Sequence, residues 1–556
     1  MRQLLKTGTS ILFRRQTNIL SAAIIIMATY GLSHLIGLFK TRLLIGTFFA
    51  TSPHLLDAYN AAFLIPDTIF QLLVIGSLSA AFIPVFTRYL VKEEKEAWHV
   101  ASSSLNLILL VFFVLSIFTF IFVHPLAHLI APGFDAAQIT VMSLLIRIML
   151  VAQLFFCVSG FLTGIIQSHQ RFLIPALAPV VYNLGIIFGI ICLSPTLGIV
   201  GPAIGVVIGA LLHMLIQIPL AIRLGFRFLP VFDFRHTGVK EIIRLMPPRT
   251  LALGVDQIEQ FVSVILTSLL AAGSLSLLNV ARLLYAIPAS IFGVAIGQAA
   301  LPTLSQQSGS ADRQQFRQTL TTSLLQITFL ALPVSILFVI LRIPIVRLAF
   351  GSHSFPWLAT LLTAKTLAVL AVSAVFSAMM QLIIRGFYAL HDTRTPLIVG
   401  LFAAIFDTVA GILFIAVFKW GIVGIALAIS LTSIIETITL FFLLARKVYF
   451  DRVADLTFLL SLSKMAAVAI ITSISLWIPM RLLDQFVFDT TRTLPLIGLT
   501  IITSLIGLTV YMSLSTLFRV QETATFYAVF RRITRFHKLF SPKTPEAVIV
   551  SAPDQN

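Results

Sequence analysis

Charge is scarce in this 556-residue chain: 11% of residues are Asp, Glu, Lys or Arg, 58% are hydrophobic, and mean hydropathy is +1.02. A water-soluble chain carries roughly 25% charged residues, and no soluble fold hides so much apolar surface. Cysteine is nearly absent. Cys157 and Cys192 both lie inside apolar runs and form no motif, which excludes a disulfide scaffold and leaves them as lipid- or core-facing residues. The histidines lack metal-ligand spacing, and no firm metal site is expected. Neither a G-x-x-x-x-G-K-[ST] loop for a nucleotide nor a G-x-S-x-G elbow occurs. The chain is therefore read as no enzyme, without a bound cofactor. Period-two alternation over about ten residues, the mark of a membrane barrel, is missing as well.

What is there is a succession of apolar runs, each long enough to cross a bilayer as a helix. They predict an all-α integral membrane protein with about fourteen transmembrane helices. The expected spans are 19–48, 57–90, 99–126, 137–166, 172–195, 198–222, 238–271, 275–306, 316–343, 357–387, 395–418, 421–445, 458–481 and 493–518. The first follows Arg2, Lys6, Arg14 and Arg15. Its apolar stretch exceeds a signal-peptide core and no A-x-A-like site follows, so it reads as an uncleaved span.

A net charge of +17 would suggest nucleic acid in a soluble protein. Here the accumulation of Lys and Arg in cytoplasmic loops explains it, and no nucleic-acid partner is expected. Basic connections (Arg88, Lys92, Lys95; Arg171; Arg223, Arg227, Arg235, Lys240; Arg313, Arg317; Arg394; Arg446, Lys447) alternate with bare ones at 51–56, 124–138, 194–196 and 272–274. Arg342, Arg347, Arg481 and Arg492 break the pattern. The alternation predicts both termini in the cytoplasm. The basic tail, with Arg519, Arg531, Arg532, Arg535 and Lys538, reads as an interfacial helix on anionic lipid.

The chain also repeats itself. Ile65-Pro66-Asp67-Thr68-Ile69-Phe70, followed by Gly76, Ala80-Ala81 and Pro84, recurs as Ile287-Pro288-Ala289-Ser290-Ile291-Phe292, followed by Gly297, Ala299-Ala300 and Pro302. Gly198-Ile199-Val200-Gly201 recurs as Gly421-Ile422-Val423-Gly424, and the turn with Arg171 and Pro175 as that with Arg394 and Pro396. One offset of about 222 residues relates all three, and it spans six helices. An even number makes the repeats parallel. The expected units are an N-lobe (1–225), a C-lobe (226–450), a terminal helix pair (451–518) and the tail (519–556). Two like lobes around a central cavity point to a transporter.

Charges inside spans are costly and mark candidate function. They include Lys40, Arg42, Asp57, Asp67, Asp256, Glu259, Arg282, Lys365, Asp407, Glu436 and Lys464. Snorkelling to an interface is the plainer reading for Arg42, Glu436 and Lys464. Arg282 sits among apolar neighbours and reads as cavity-facing, with a planar fork suited to phosphate. Asp407, paired with Asp256, is a candidate cation or proton site; structural pairing with a basic residue is the alternative.

Several blocks together resemble the MurJ (MviN) family of lipid II flippases, in the superfamily that also holds the MATE exporters. They are Ser33 to Gly37 with Lys40; Asp57-Ala58, Phe63, Pro66 and Gly76 to Pro84; and Arg171-Phe172, Pro175-Ala176, Ala178-Pro179 and Asn183. Further blocks are Ala281-Arg282-Leu283, Pro288, Gly297 and Leu301-Pro302, and Phe387-Tyr388-Ala389 with Asp392, Thr393, Thr395 and Pro396. The resemblance implies a multi-pass inner-membrane protein that flips lipid II, the undecaprenyl-pyrophosphate-linked muropeptide, to the outer leaflet for peptidoglycan synthesis and cell shape. It implies substrate-binding roles for His34, Lys40, Asp57 and Arg282, and a terminal-pair groove for the polyprenyl tail. It also implies coupling to Na+, H+ or the membrane potential, with Asp256 and Asp407 as cation candidates. Membrane lipids are the other expected partners, with the chain a monomer that could meet cell-wall synthesis proteins. Three positions depart from the family's arginines: His34, Lys40 and Phe70. They weaken the substrate assignment. The alternatives are another polyprenyl-pyrophosphate glycan, an amphipathic cargo, or a membrane scaffold on the same fold.

Overall fold

The computed structural model describes residues 19–75, 81–309, 313–352, 354–448, 452–524 and 526–527. The N-terminal basic stretch and most of the expected tail helix lie outside these residues. All regular structure among the described residues is helical. Within hydrocarbon a helix satisfies its own backbone groups, so long apolar runs have little other choice.

Eleven helices are long and apolar enough to cross a membrane by length and composition. They are the third (Glu94–Ile121), fourth (Ala136–Ser168), fifth (Leu173–Leu197) and sixth (Val200–Arg223) spans, and the eighth (Ser274–Gln307) to twelfth: Gln314–Ile340, Trp357–Ala389, Arg394–Val417 and Gly421–Lys447. The thirteenth and fourteenth are Leu456–Val487 and Thr493–Leu517. Three expected spans fall on other helical segments. The first is the helix Ile19–Phe48. The second is broken into Pro53–Ala62, Leu64–Phe70, a π-helical turn Gln71–Ile75 and Ile83–Lys92. The seventh, Thr237–Ser268, carries Lys240, Glu241, Arg244, Arg249, Asp256 and Glu259, which dilute its hydropathy.

The sixth span packs on the fourth and fifth, and the first on the fifth; the tenth packs on the eighth, ninth and twelfth, and the eleventh on the twelfth. The terminal pair packs on itself and on the ninth span. Glycines set the closest approach: a Cβ on Gly185 would lie 2.4 Å from the Gly209 Cα, so the fifth and sixth helices touch backbone to backbone. The repeat is visible in the backbone. π-Helical turns occupy Gly189–Leu193 and Leu413–Val417. Left-handed residues recur at Gln170 and His391, and at Gly198 and Gly421.

Two apolar runs end sooner than expected and continue as short separate helices. Val123–Ile130 follows the third span, and Arg342–Phe350 follows the ninth. The third span also starts early, at Glu94, where Glu94 and Glu96 meet the positive end of the helix.

Candidate functional site

The two lobes are clasped at the end that holds the 49–53 and 269–273 turns. Asp57 is 2% exposed. Its carboxylate accepts the Gly273 N–H at 2.6 Å, the Ser276 N–H at 2.9 Å and the Ser276 hydroxyl at 2.6 Å. These are orphan donors at the start of the eighth helix, so an N-lobe residue caps a C-lobe helix. Asp57 was expected to bind substrate. In this conformation its carboxylate is buried and engaged by these three donors. Arg42, expected to snorkel to an interface, has two backbone partners across the lobes. It donates to the Leu348 carbonyl at 2.9 Å and the Gly351 carbonyl at 3.1 Å, at the C-terminal end of Arg342–Phe350. A negative group thus meets a helix start and a positive group a helix end, each across the lobes. Phe49 on Phe355 and the Gly133 N–H on Ser268 Oγ add two more crossings.

Deeper in the C-lobe, Arg282 donates to Ser263 Oγ at 2.7 Å and lies 3.7 Å from Glu259. Asp407, 3% exposed, accepts from Thr432 at 3.5 Å and is within Coulombic reach of both Glu259 and Arg282. The seventh, eighth, eleventh and twelfth spans therefore converge on one charged cluster. The Asp256 side chain lies outside the described residues. Glu259 was the missing member. Its signal was legible: Glu259 and Ser263 share a helix face, and Arg282 stands at a similar distance beyond the 269–273 turn. Among the described residues no set of three or more His, Cys, Asp or Glu side chains is arranged to hold a metal.

The N-lobe offers less positive charge. Lys40 lies within reach of Asp67, which also accepts from the Gln153 amide. His34 is exposed on the first helix. Phe70, where the family places an arginine, packs on Phe156. The second and seventh spans meet through neutral groups that the sequence reading passed over. Gln257 accepts from Thr68 at 2.9 Å and donates to Gln71 at 3.0 Å, and Thr250 donates to the Leu72 carbonyl at 3.1 Å. At their other ends Arg88 pairs with Glu241, and the Tyr89 and Thr237 hydroxyls share a 2.9 Å bond. There His236 meets Glu96 at 2.7 Å and His99 meets Asp233 at 3.2 Å. The Arg235 N–H, then the His99 ring and the His236 N–H, hold the Asp233 carboxyl below its usual range.

An apolar groove of about 480 Å³ lies between the ninth span and the terminal pair, with Leu330, Leu337, Leu476, Leu505 and Phe526 in its wall.

A sequence profile described as "Lipid II flippase MurJ" matches residues 45–500. A "Probable lipid II flippase MurJ" of Thermotoga maritima is 30% identical over 425 residues, covering 76% of this chain and 84% of the relative. One from Buchnera aphidicola subsp. Acyrthosiphon pisum is 28% identical over 444 residues, covering 79% and 85%. A solved structure titled "Lipid II flippase MurJ, inward closed conformation" superposes with a TM-score of 0.74 at 25% identity, covering 89% of this chain and 98% of that one. An inward-facing MATE multidrug transporter superposes at 0.63 with 14% identity over 77% of this chain and 98% of its own, a likeness of fold alone. The chain is a multi-pass membrane transporter that belongs to the lipid II flippase MurJ family.

Proposed function

We propose that this chain flips lipid II from the cytoplasmic to the outer leaflet of the inner membrane by alternating access, with both termini cytoplasmic. The observation that carries the reading is the eighth helix. It bears the inter-lobe cap at Gly273–Ser276 and, six residues deeper, Arg282. That is about 9 Å along the axis. A rocking motion that frees this helix from Asp57 also moves Arg282. Its guanidinium is held by a hydroxyl and a carboxylate 3.7 Å away, contacts that a pyrophosphate replaces with stronger, bidentate ones. The second and seventh spans, joined at Thr68 to Leu72 and again at Arg88 and Tyr89, act as the hinge side. Lys40 and His34 line the N-lobe's share of the cavity. The groove at the terminal pair takes the polyprenyl tail, since its wall is apolar.

The oxygens of Asp407, Glu259 and Thr432 suit a monovalent cation or a proton. Such an ion would supply the charge that Arg282 now supplies to these carboxylates. Convergence of the cluster argues against a scaffold, whose intramembrane charges would be neutralised separately. A different polyprenyl-pyrophosphate glycan is the second reading. The Lys40–Asp67 proximity and Phe70 favour it, because they leave the N-lobe little positive charge for a head group.

The test is complementation of a strain depleted of its own lipid II flippase, alongside flipping of lipid II and of a second polyprenyl-pyrophosphate glycan in proteoliposomes. Arg282→Ala should abolish rescue, and Arg282→Lys should restore part of it because Lys lacks the fork. One charge-assisted contact is worth about 1.5–3 kcal/mol, roughly 10- to 150-fold in affinity. Normal flipping by Arg282→Ala at normal protein levels would sink the pyrophosphate role.

A further inference from the structure

Arg147 lies in the fourth span, eleven residues from its first, Ala136. That is about 16 Å into the helix. Its guanidinium sits over the Phe120 ring of the third span, 5.0 Å from the centroid. Among the described residues it makes no ion pair, and its Nε is buried without a hydrogen-bond partner. One turn nearer Ala136, the Ser143 hydroxyl is also buried and unpartnered. The surroundings face the hydrocarbon. Leu144 and Val151, on the same side of the helix, are exposed, as are Phe118, Phe120 and Ile121 across the seam.

An unpaired guanidinium in a span is costly, and among the described residues no carboxylate offsets it. Helical side chains lean toward the N-terminus, so the guanidinium rises toward the interface on the Ala136 side. The counter-ion must come from outside the protein. Phe120 closes one face of the fork and leaves its edge for an acceptor. We propose that Arg147, with Phe120 behind it, forms a binding site in the seam of the third and fourth spans for the phosphate of an anionic phospholipid in the leaflet on the Ala136 side. The site is separate from the cluster around Arg282 and does not rest on the cargo. An anionic lipid there would hold two N-lobe helices together from the lipid side.

The test places an environment-sensitive bimane on Leu144→Cys in a Cys192→Ser background, in vesicles doped with doxyl-labelled phosphatidylglycerol or doxyl-labelled phosphatidylcholine. Phosphatidylglycerol should quench at roughly fivefold lower lipid fraction, the size of one basic residue's attraction for anionic lipid. Arg147→Gln should erase that difference, and Arg147→Lys should retain part of it, which keeps the test valid if the Gln variant folds poorly. The same label on Ile470→Cys, lipid-facing on the thirteenth span, should show a smaller preference that Arg147→Gln leaves unchanged. Equal quenching by the two lipids at Leu144→Cys, or a preference that survives Arg147→Gln, would overturn the proposal. Loss of the preference on adding inorganic phosphate would overturn the lipid assignment in favour of a free anion.

Discussion

Asp57→Asn should open the clasp between the lobes. The substitution keeps the volume and one acceptor oxygen. It removes the charge and the second acceptor. If the remaining oxygen serves Ser276, the new amide points its own hydrogens at the Gly273 N–H, where Asp57 now accepts at 2.6 Å. The loss is one charge-assisted hydrogen bond, about 1.5–3 kcal/mol. The carboxylate's attraction for a helix start adds about 0.3–1 kcal/mol or more when buried. Together these amount to about 2–4 kcal/mol, roughly 30- to 700-fold in the ratio of closed to open. Arg42→Gln should act in the same direction through the Leu348 and Gly351 carbonyls. The two contacts share no partner, so their effects should add.

The assay is pulsed electron resonance between spin labels on Thr51→Cys and Ala272→Cys, both exposed and on opposite lobes. The parent chain should give one short distance. Asp57→Asn should add a longer one, and the double variant with Arg42→Gln should make the longer one dominant. A stability margin larger than one contact could mask the single variant, which is why the double variant decides. If it keeps the parent distribution, the two trans-lobe caps do not hold the closed state, and the link from the eighth helix to alternating access fails with them.

Asp407→Asn should leave folding intact at near-constant volume and flatten the dependence of flipping on sodium and pH; an unaltered dependence would make Asp407 a structural residue. Topology reporters at Gln138 and Ser274 should appear outside, and those at Lys92 and Arg235 inside; a cytoplasmic signal at Ser274 would rule out the proposed orientation. Asp392 links the tenth–eleventh turn to Lys447. Partial burial alone would raise its carboxyl, but the Lys447 ammonium and the Thr395 hydroxyl and N–H outweigh that and hold it at about 2. A depressed carboxyl stabilises the fold above its unfolded value near 4, and that contribution fades as pH falls from about 4 to 2. Thermal unfolding in detergent should therefore lose on the order of 1–2 kcal/mol over that window, with Lys447 partly in water, and Asp392→Asn should remove the pH-dependent step.

The helices and the repeat were legible because both are local or periodic signals: apolar runs of bilayer length, and strings such as Ile65-Pro66 and Ile287-Pro288 at one offset. The short helices Val123–Ile130 and Arg342–Phe350 were not, because each continues an apolar run without a change of composition. The π-helical turn at Gln71–Ile75 carries no residue signature either. Arg282 was legible as a charge among apolar neighbours, whereas its partners depend on which faces of four helices meet. Asp57 was legible as a residue of interest, but its contacts were not. Its partners lie 216 and 219 residues away, on the other lobe, and no spacing rule reaches that far.

The duplication nevertheless contains the reason why the clasp is one-sided. At an offset of about 222, Asp57 corresponds to Asn279 and Arg282 to Asn60. The start of the eighth helix, at Ser274, corresponds to the start of the second, which has Pro53 at its first position. At that offset Pro53 falls on Leu275, whose N–H also faces Asp57 beside those of Gly273 and Ser276; proline has no N–H, so the second helix offers one donor fewer there. A reciprocal cap from the C-lobe would lack both the charge, at Asn279, and part of its target. Asn60 contributes in a different way, donating to Ser276 Oγ at 2.9 Å and orienting the hydroxyl that Asp57 accepts. The charges are thus divided between the repeats, the capping carboxylate on the first lobe and the guanidinium on the second. On the proposed function, motion of the eighth helix away from Asp57 would therefore also move the guanidinium, and a head group that engaged Arg282 would act directly on the helix that Asp57 caps.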